Sequence, residues 1–283
     1  MRKNTFMQGV AIVVLCVLLD IVLHVVTSAY STMPDTPTYS AVAEVLGTEI
    51  SATLWALLAF SSVAYVFYRF QDRIPGRGLT KGLRYGSAIA LLWLFAMLEG
   101  VALFDNPVIN EFVVGLSDAI PVFVLCILLS LLIGKNEAYI DSGLQTIHQK
   151  LLTVSVFSIF FLLGRYAAYF SGAIQSGYQT SPYFTFIWTL LMGIHIGILC
   201  VVVGQAARTS SLNRSAVRFG LGIFGINWGV FLVFMPLMFD GYLIDVLRRF
   251  TLDVLLVTGG YYLADRWGLR AIRKQNGRSA ENR

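Results

Sequence analysis

Long apolar runs alternate with short polar stretches from one end of the chain to the other. The runs fall at about 6–28, 48–69, 84–104, 112–133, 150–172, 184–205, 218–238 and 246–267. Each is close to the roughly 20 residues that a helix needs to cross a hydrocarbon core of about 30 Å. Backbone polar groups in lipid must be satisfied within the segment, so runs of this length predict helices. The pattern therefore predicts an all-α, polytopic membrane protein with about eight transmembrane helices.

The polar connections sort by charge. Arg2 and Lys3 precede the first run, Arg69, Arg73, Arg77, Lys81 and Arg84 flank the second connection, and Lys135 and Lys150 flank the fourth. Arg208, Arg214 and Arg218 flank the sixth, and six more basic residues follow the last run from Arg266 to Arg283. Of the 21 lysines and arginines, only Arg165, Arg248 and Arg249 lie outside this set. The first, third and fifth connections carry none. The positive-inside rule then predicts cytoplasmic N- and C-termini in a cell inner membrane. Arg248 and Arg249, at the outer end of the last run, are expected to snorkel outward. The start also has the form of a signal peptide with Ala29 at the cleavage site. The run from Phe6 to Ser28 is long enough to span, so retention is expected.

Composition agrees. Apolar residues make up 57% of the 283 residues and charged residues 13%, about half the usual charge of a soluble domain. A net charge of +5 in connections between apolar runs orients a chain in a bilayer, and it excludes the nucleic-acid reading. The expected partners are the lipid bilayer and a membrane protein partner or a second copy of the chain. Cys16, Cys126 and Cys200 all sit within apolar runs without a CxxC, and read as buried free thiols.

A search for internal similarity finds Leu83-Arg84-Tyr85-Gly86 repeated as Val217-Arg218-Phe219-Gly220, at an offset of 134. At an offset of 135, Phe104-Asp105 matches Phe239-Asp240, Ile109 matches Ile244 and Asp118 matches Asp253. At an offset of 145, Thr36-Pro37 matches Ser181-Pro182 and Asp20 stands opposite Arg165. A longer connection around Pro75-Gly76-Arg77-Gly78 is the expected source of the shift. The reading is two parallel four-helix repeats, 1–134 and 135–267, followed by a basic cytoplasmic tail, 268–283. An even number of helices per copy gives both the same orientation, related by a pseudo-two-fold axis along the membrane normal.

The motifs Asp20-x-x-x-His24 with Tyr30, and Gly76-x-Gly78-x-x-Lys81-Gly82-x-x-Tyr85-Gly86, resemble those of a group of small, largely uncharacterised prokaryotic four-helix membrane proteins. The resemblance covers the first half well and the second loosely, where Arg165 replaces Asp20 and the histidine is missing. It implies the four-helix fold and no activity.

Ionisable residues inside a membrane are costly and default to functional candidates. The candidates for a substrate or proton pathway are Asp20, His24, Glu49, Glu99, Asp118, Arg165 and His195. Asp20, Glu99 and Arg165 each lie roughly 15 residues from the cytoplasmic end of their run, about 22 Å into the core. Glu49, Asp118 and Asp253 lie near the outer ends. This layering suggests a polar cavity opening away from the cytoplasm.

Asp20 and His24 share one helical face. They suit a proton shuttle, but two ligands are too few for a metal site. Arg165 needs a buried anion, and Asp20 at matched depth is the expected partner. His24 and His195 could serve as axial haem ligands, although nothing else favours a haem, and the cofactor stays unknown. His148 reads as a solvated surface residue, and Asp253 is explained locally by Arg249 one turn earlier. Pro121 and Pro236 are expected to bend their helices. Gly220-x-Gly222-x-x-Gly225 matches a dinucleotide fingerprint only as a string, and reads as a helix-packing face. Asn213-Arg214-Ser215, a formal glycosylation sequon, falls on the cytoplasmic side and carries no meaning.

Three function classes follow. The first is a transporter-like protein with an outward polar cavity between the repeats. The second is a non-catalytic membrane partner or assembly factor. The third is a membrane-embedded enzyme or haem/quinone redox protein.

Overall fold

A computed structural model describes residues 3–32, 37–135 and 146–281, with side chains from residue 5 to 267. Arg2, Thr36 and the side chains of Lys3 and of the basic tail lie outside the described residues. Every regular element is helical among those described, apart from one isolated antiparallel bridge between Tyr39 and Phe239.

The first half comprises α1 (Lys3–Val26), the short α2 (Ala41–Leu46), α3 (Thr48–Phe70), α4 (Leu79–Met97), α5 (Glu99–Phe104) and α6 (Val108–Leu132). The second comprises α7 (Ile147–Phe170), α8 (Pro182–Val203), α9 (Leu212–Val217), a π-helical stretch (Arg218–Gly225), α10 (Ile226–Leu232), α11 (Phe234–Met238) and α12 (Leu243–Glu281). Seven membrane-length, apolar helical spans result: Thr5–Val26, Thr48–Arg73, Leu79–Phe104, Val108–Leu132, Ile147–Phe170, Pro182–Ala207 and Leu212–Met238. The chain is thus a multi-pass helical membrane protein by length and composition. The eighth expected span falls on α12. Its membrane-length part carries Arg248, Arg249, Asp253, Asp265 and Arg266, which keep it out of the apolar set.

The connections group on two faces, as their charges predict. On one face Lys135 Nζ donates to Asp72 at 2.9 Å, and Arg73 donates to the Arg208 carbonyl. On the other, Ser40 N donates to Met238 O and Asp240 N to Thr38 O, both at 3.0 Å. Gln175 N also donates to Asp245 on this second face, at 2.6 Å.

Within the first half α4 packs on α6, and α1 packs on both α3 and α6. Within the second, α7 packs on α8 and α12, and α12 also packs on the π stretch. The halves meet where α4 and α5 lie on α8, and where α10 and α11 lie on α3. Trp93 and Trp228 are fully buried in the centre of one shared core.

One sequence expectation changes. Residues 71–78 and 204–211 form connections of equal length, so the Pro75 region does not shift the offset. The extra residues lie in 27–47, which includes α2, against 171–181 in the second half. Pro121 sits within α6. The helix breaks at Val233, between α10 and α11 and three residues before Pro236, in the turn that a proline ring disrupts. The glycine string does form a packing face: a Cβ on Gly220 would lie 2.0 Å from Thr258 Oγ1, and one on Gly229 2.8 Å from the Phe250 ring.

Candidate functional site

The helices bring the ionisable residues together in two clusters. The first lies between α1 and α6. Asp20 and His24 stand one turn apart on α1, and Asp118 faces them from α6. His24 Nε2 is 3.1 Å from Asp118 Oδ1 and 3.8 Å from Asp20 Oδ1. One ligand atom from each of the three residues fits within 4.8 Å of the other two. Both carboxylates are buried, with side chains 5% exposed, whereas the imidazole is 38% exposed and forms the rim. Asp20 Oδ1 is buried and receives no hydrogen bond among the described residues. Above the cluster, Thr27 Oγ1 and Ser117 Oγ lie 3.0 Å apart.

The second cluster lies where the halves meet, with Glu99 from the first half and Arg165, Arg249 and Asp253 from the second. Arg165 is fully buried and grips Asp253 through Nε–Oδ1 at 2.7 Å and Nη2–Oδ2 at 2.6 Å. Its Nη1 donates to Glu99 at 2.9 Å and to Tyr169 Oη at 3.3 Å. The Phe161 and Trp188 rings cover the guanidinium, with centroids at 5.3 and 5.2 Å. Trp228 Nε1 donates to Asp253 Oδ2 at 2.9 Å. Arg249 donates to Glu99, and through Nη2 to Gln175 O at 2.8 Å and to Asp245 at 3.0 Å. Buried ions hold only when paired and hydrogen-bonded, and each member of this network has several partners.

The expected Asp20–Arg165 pair does not form. Asp253 is the better anion for Arg165 because α12 packs directly on α7, while Asp20 is occupied between α1 and α6. Arg249 does not pair with Asp253 and does not snorkel. It turns inward, 3% exposed, because Glu99 and Asp245 attract it. Arg248 stays at the surface.

Glu49 is exposed in the first turn of α3, away from both clusters. His195 is buried against the Ala88 carbonyl at 3.0 Å and stacks on Phe95. His24 and His195 therefore have separate partners on separate helices. His148 is exposed, Cys16 and Cys126 are buried, and Cys200 is partly buried.

Sequence reasoning missed two buried polar groups. Glu111 is 2% exposed, accepts from Asn106 at 2.6 Å, and lies where a side chain on Gly100 would be. Asn227 is fully buried and bonds Tyr85 Oη at 3.0 Å, while its carbonyl accepts from Trp93. For Asn227 the available signal was an asparagine inside an apolar run, whereas Glu111 lies just before one.

The surface has two shallow, open depressions among others. One runs along α1, lined by Phe6, Met7, Val10, Ala11, Val14, Leu15 and Leu18. The other lies beside Gln175, Asp245 and Arg248. Neither includes Asp20, His24, Asp118, Glu99 or Arg165 in its lining. The chain matches no family model, no curated protein and no solved structure.

Proposed function

We propose that the chain is an eight-span inner-membrane protein, built from two parallel four-helix repeats with cytoplasmic termini. In this reading it acts as a cation-linked, transporter-like carrier whose working centre is Asp20, His24 and Asp118. The observation that carries the function is Asp20 itself, a buried carboxylate with one oxygen lacking a donor, facing a second buried carboxylate and a partly exposed imidazole. Such a group binds a proton or a metal cation and changes charge when it does. The helix that carries it, α1, is the least buried of the seven apolar spans, so it is the span with fewest contacts to break on moving.

Several features support the repeat. The Trp55 indole on α3 donates to Val230 O, and the Trp188 indole on α8 donates to Phe95 O, both at 2.7 Å. Phe95 and Val230 stand at the offset of 135 and the two tryptophans at 133, so the two bonds run in opposite directions between near-equivalent positions. The helix breaks at Leu98 and Val233 share that offset. Both α3 and α8 end in a 3-10 turn, at Phe70 and Val203. The π stretch Arg218–Gly225 lies between the matches at 134 and those at 135. A π turn closes i to i+5 and holds one residue more than an α turn, which accounts for the single step. Each repeat then has the size of the four-helix proteins that the first half resembles.

The two clusters divide the roles. The second repeat's ion-paired network is closed and fully partnered, which suits a rigid platform. The first repeat's cluster is open on one oxygen and rimmed by an exposed histidine, which suits a site that loads and unloads. The positive-inside charge distribution places both clusters in the outer half of the membrane.

The test is alkylation of Thr27→Cys from the outside, relative to an Ala173→Cys control, at acid and neutral pH. Among the described residues, the titratable groups facing the probe are Asp20 and His24 on α1 and Asp118 on α6. Helix α3, which also touches α1, adds only the exposed Glu49 at its outer end. The expected relative rate changes several-fold with pH, and the change disappears in Asp20→Asn. A relative rate independent of pH and of Asp20 would reject a loading site that moves.

The partner reading rests on a different observation, the apolar depression along α1. It predicts a stable complex that survives detergent extraction and labelling at Thr27→Cys that ignores pH.

A further inference from the structure

The two halves differ at one place that bears on what the first cluster takes. At the offsets of 145 and 135, Asp20 corresponds to Arg165 and Asp118 to Asp253. In the second half the guanidinium of Arg165 bridges Asp253 and Glu99, and so supplies a fixed positive charge between buried carboxylates. In the first half two carboxylates face one another instead. No lysine or arginine reaches either of them among the described residues. Two buried like charges with a single imidazole between them are strongly unfavourable without a further cation.

We infer that Asp20, His24 and Asp118 form a three-ligand site for a first-row divalent metal ion. This rests on the reading of that cluster as the working centre and names its ligand class. The donor set is one imidazole nitrogen and two carboxylate oxygens. Such a mixed set suits zinc, manganese, iron or cobalt rather than copper(I), which prefers sulfur, or calcium, which takes six or more oxygens.

The geometry is close to that of a bound ion. Metal–ligand bonds of about 2.0 Å in a tetrahedron put the ligand atoms about 3.3 Å apart. The His24–Asp118 and His24–Asp20 separations of 3.1 and 3.8 Å bracket that edge. The third edge, no longer than 4.8 Å, closes with a rotamer adjustment. The unpartnered Oδ1 of Asp20 is one of the ligand atoms, and the metal is the partner that satisfies it. Three protein ligands leave a fourth position open, the arrangement of sites that exchange a ligand rather than purely structural ones. His24, half in contact with the surroundings, is the entry side.

The experiment uses the full chain, purified in detergent and stripped with a chelator. It is titrated calorimetrically with zinc chloride and with manganese chloride, and its melting is followed with and without each metal. One ion per chain is expected to bind and to raise Tm, because a ligand that binds only the folded state stabilises it by mass action. Asp20→Asn, Asp118→Asn and His24→Gln should each weaken binding at least about tenfold, the lower range seen for losing even an outer-sphere partner. Glu49→Gln, which is remote and exposed, should bind as the unaltered chain does. His24→Gln replaces a half-exposed residue, so it keeps the test valid if a carboxylate variant fails to fold. Cobalt chloride should give a d–d spectrum without a thiolate charge-transfer band, which separates this site from nearby Cys16. Absence of one-to-one binding by zinc and manganese, or binding that all three variants leave intact, would overturn the inference. If metal binding fails while the Thr27→Cys labelling still follows pH through Asp20, the metal is rejected and the proton-linked carrier stands. If metal binds with ligand dependence but labelling ignores pH, the site stands and the carrier reading falls.

Discussion

Arg165 holds Asp253 in a two-pronged grip, Nε on one carboxylate oxygen at 2.7 Å and Nη2 on the other at 2.6 Å, with neither side chain exposed. This fork geometry is available to arginine and not to lysine. It ties α7 to α12, and through Glu99 it ties both to the break between α4 and α5 in the other half.

Removing one partner should therefore be costly. Arg165→Leu or Asp253→Asn is expected to destabilise the fold by about 3–5 kcal/mol, because a buried charge is left unpaired. Arg165→Leu combined with Asp253→Asn should recover a large part of that loss. Denaturant titration in detergent checks this, and a double-mutant cycle without interaction energy would show the pair to be structurally idle. Arg165→Lys should retain the charge and still lose stability, since a single ammonium nitrogen cannot reproduce the planar fork that reaches both oxygens of Asp253 and also Glu99.

The apolar runs made seven membrane-length helices legible, because length and hydropathy mark a membrane span, but not the short α2 or the extension of α12 to Glu281. Pairing was less legible. Depth and offset favoured Asp20 with Arg165. Depth is one coordinate only, and the packing of α12 on α7 and of α6 on α1 gave each residue a nearer partner. Arg249 was misread for a similar reason. One-turn spacing to Asp253 is a local pattern, whereas its actual partner Glu99 is 150 residues away. The third member of the first cluster, Asp118, was present in the sequence as an isolated aspartate. Only the contact between α1 and α6 joins it to Asp20 and His24.

Topology gives a second prediction. On the proposed topology the connections at residues 71–78 and 204–211 are cytoplasmic. Single cysteines at Pro37 and Pro182 should react with an impermeant thiol reagent from the outside in intact cells, and one at the exposed Arg77 of the Pro75 connection should not. Reaction only at Arg77 would invert the protein.

The π stretch gives a third. If Arg218–Gly225 holds one residue more than its counterpart, that residue should be dispensable. Deleting Leu221, which is exposed, should let the segment relax to α-helix while Trp228 and Asn227 keep their places. The variant should retain most of the stability of the unaltered chain. Deleting the exposed Leu191 from the regular helix α8 rotates everything after it by about 100° and should abolish folding. Thermal melting of the two deletion variants decides. Equal damage from both would show that the π turn is not an insertion.

The correspondence between Arg165 and Asp20 gives the last prediction. If the second repeat carries a built-in cation where the first takes a metal, then one substitution should convert the first arrangement into the second. Asp20→Arg places a guanidinium on α1 opposite Asp118, as Arg165 stands opposite Asp253. Burying an arginine at random in such a core would cost several kcal/mol. Here it meets a buried carboxylate with no lysine or arginine partner of its own among the described residues. Asp20→Arg should therefore fold in the absence of metal, melt no lower than the metal-stripped unaltered chain, and show no Tm increase on adding zinc or manganese. Asp20→Arg with Asp118→Asn removes the new partner and should lose several kcal/mol relative to Asp20→Arg alone. The comparison separates pairing from mere tolerance. If the second substitution makes no difference, the new arginine has found another partner, and the equivalence of the two clusters does not hold.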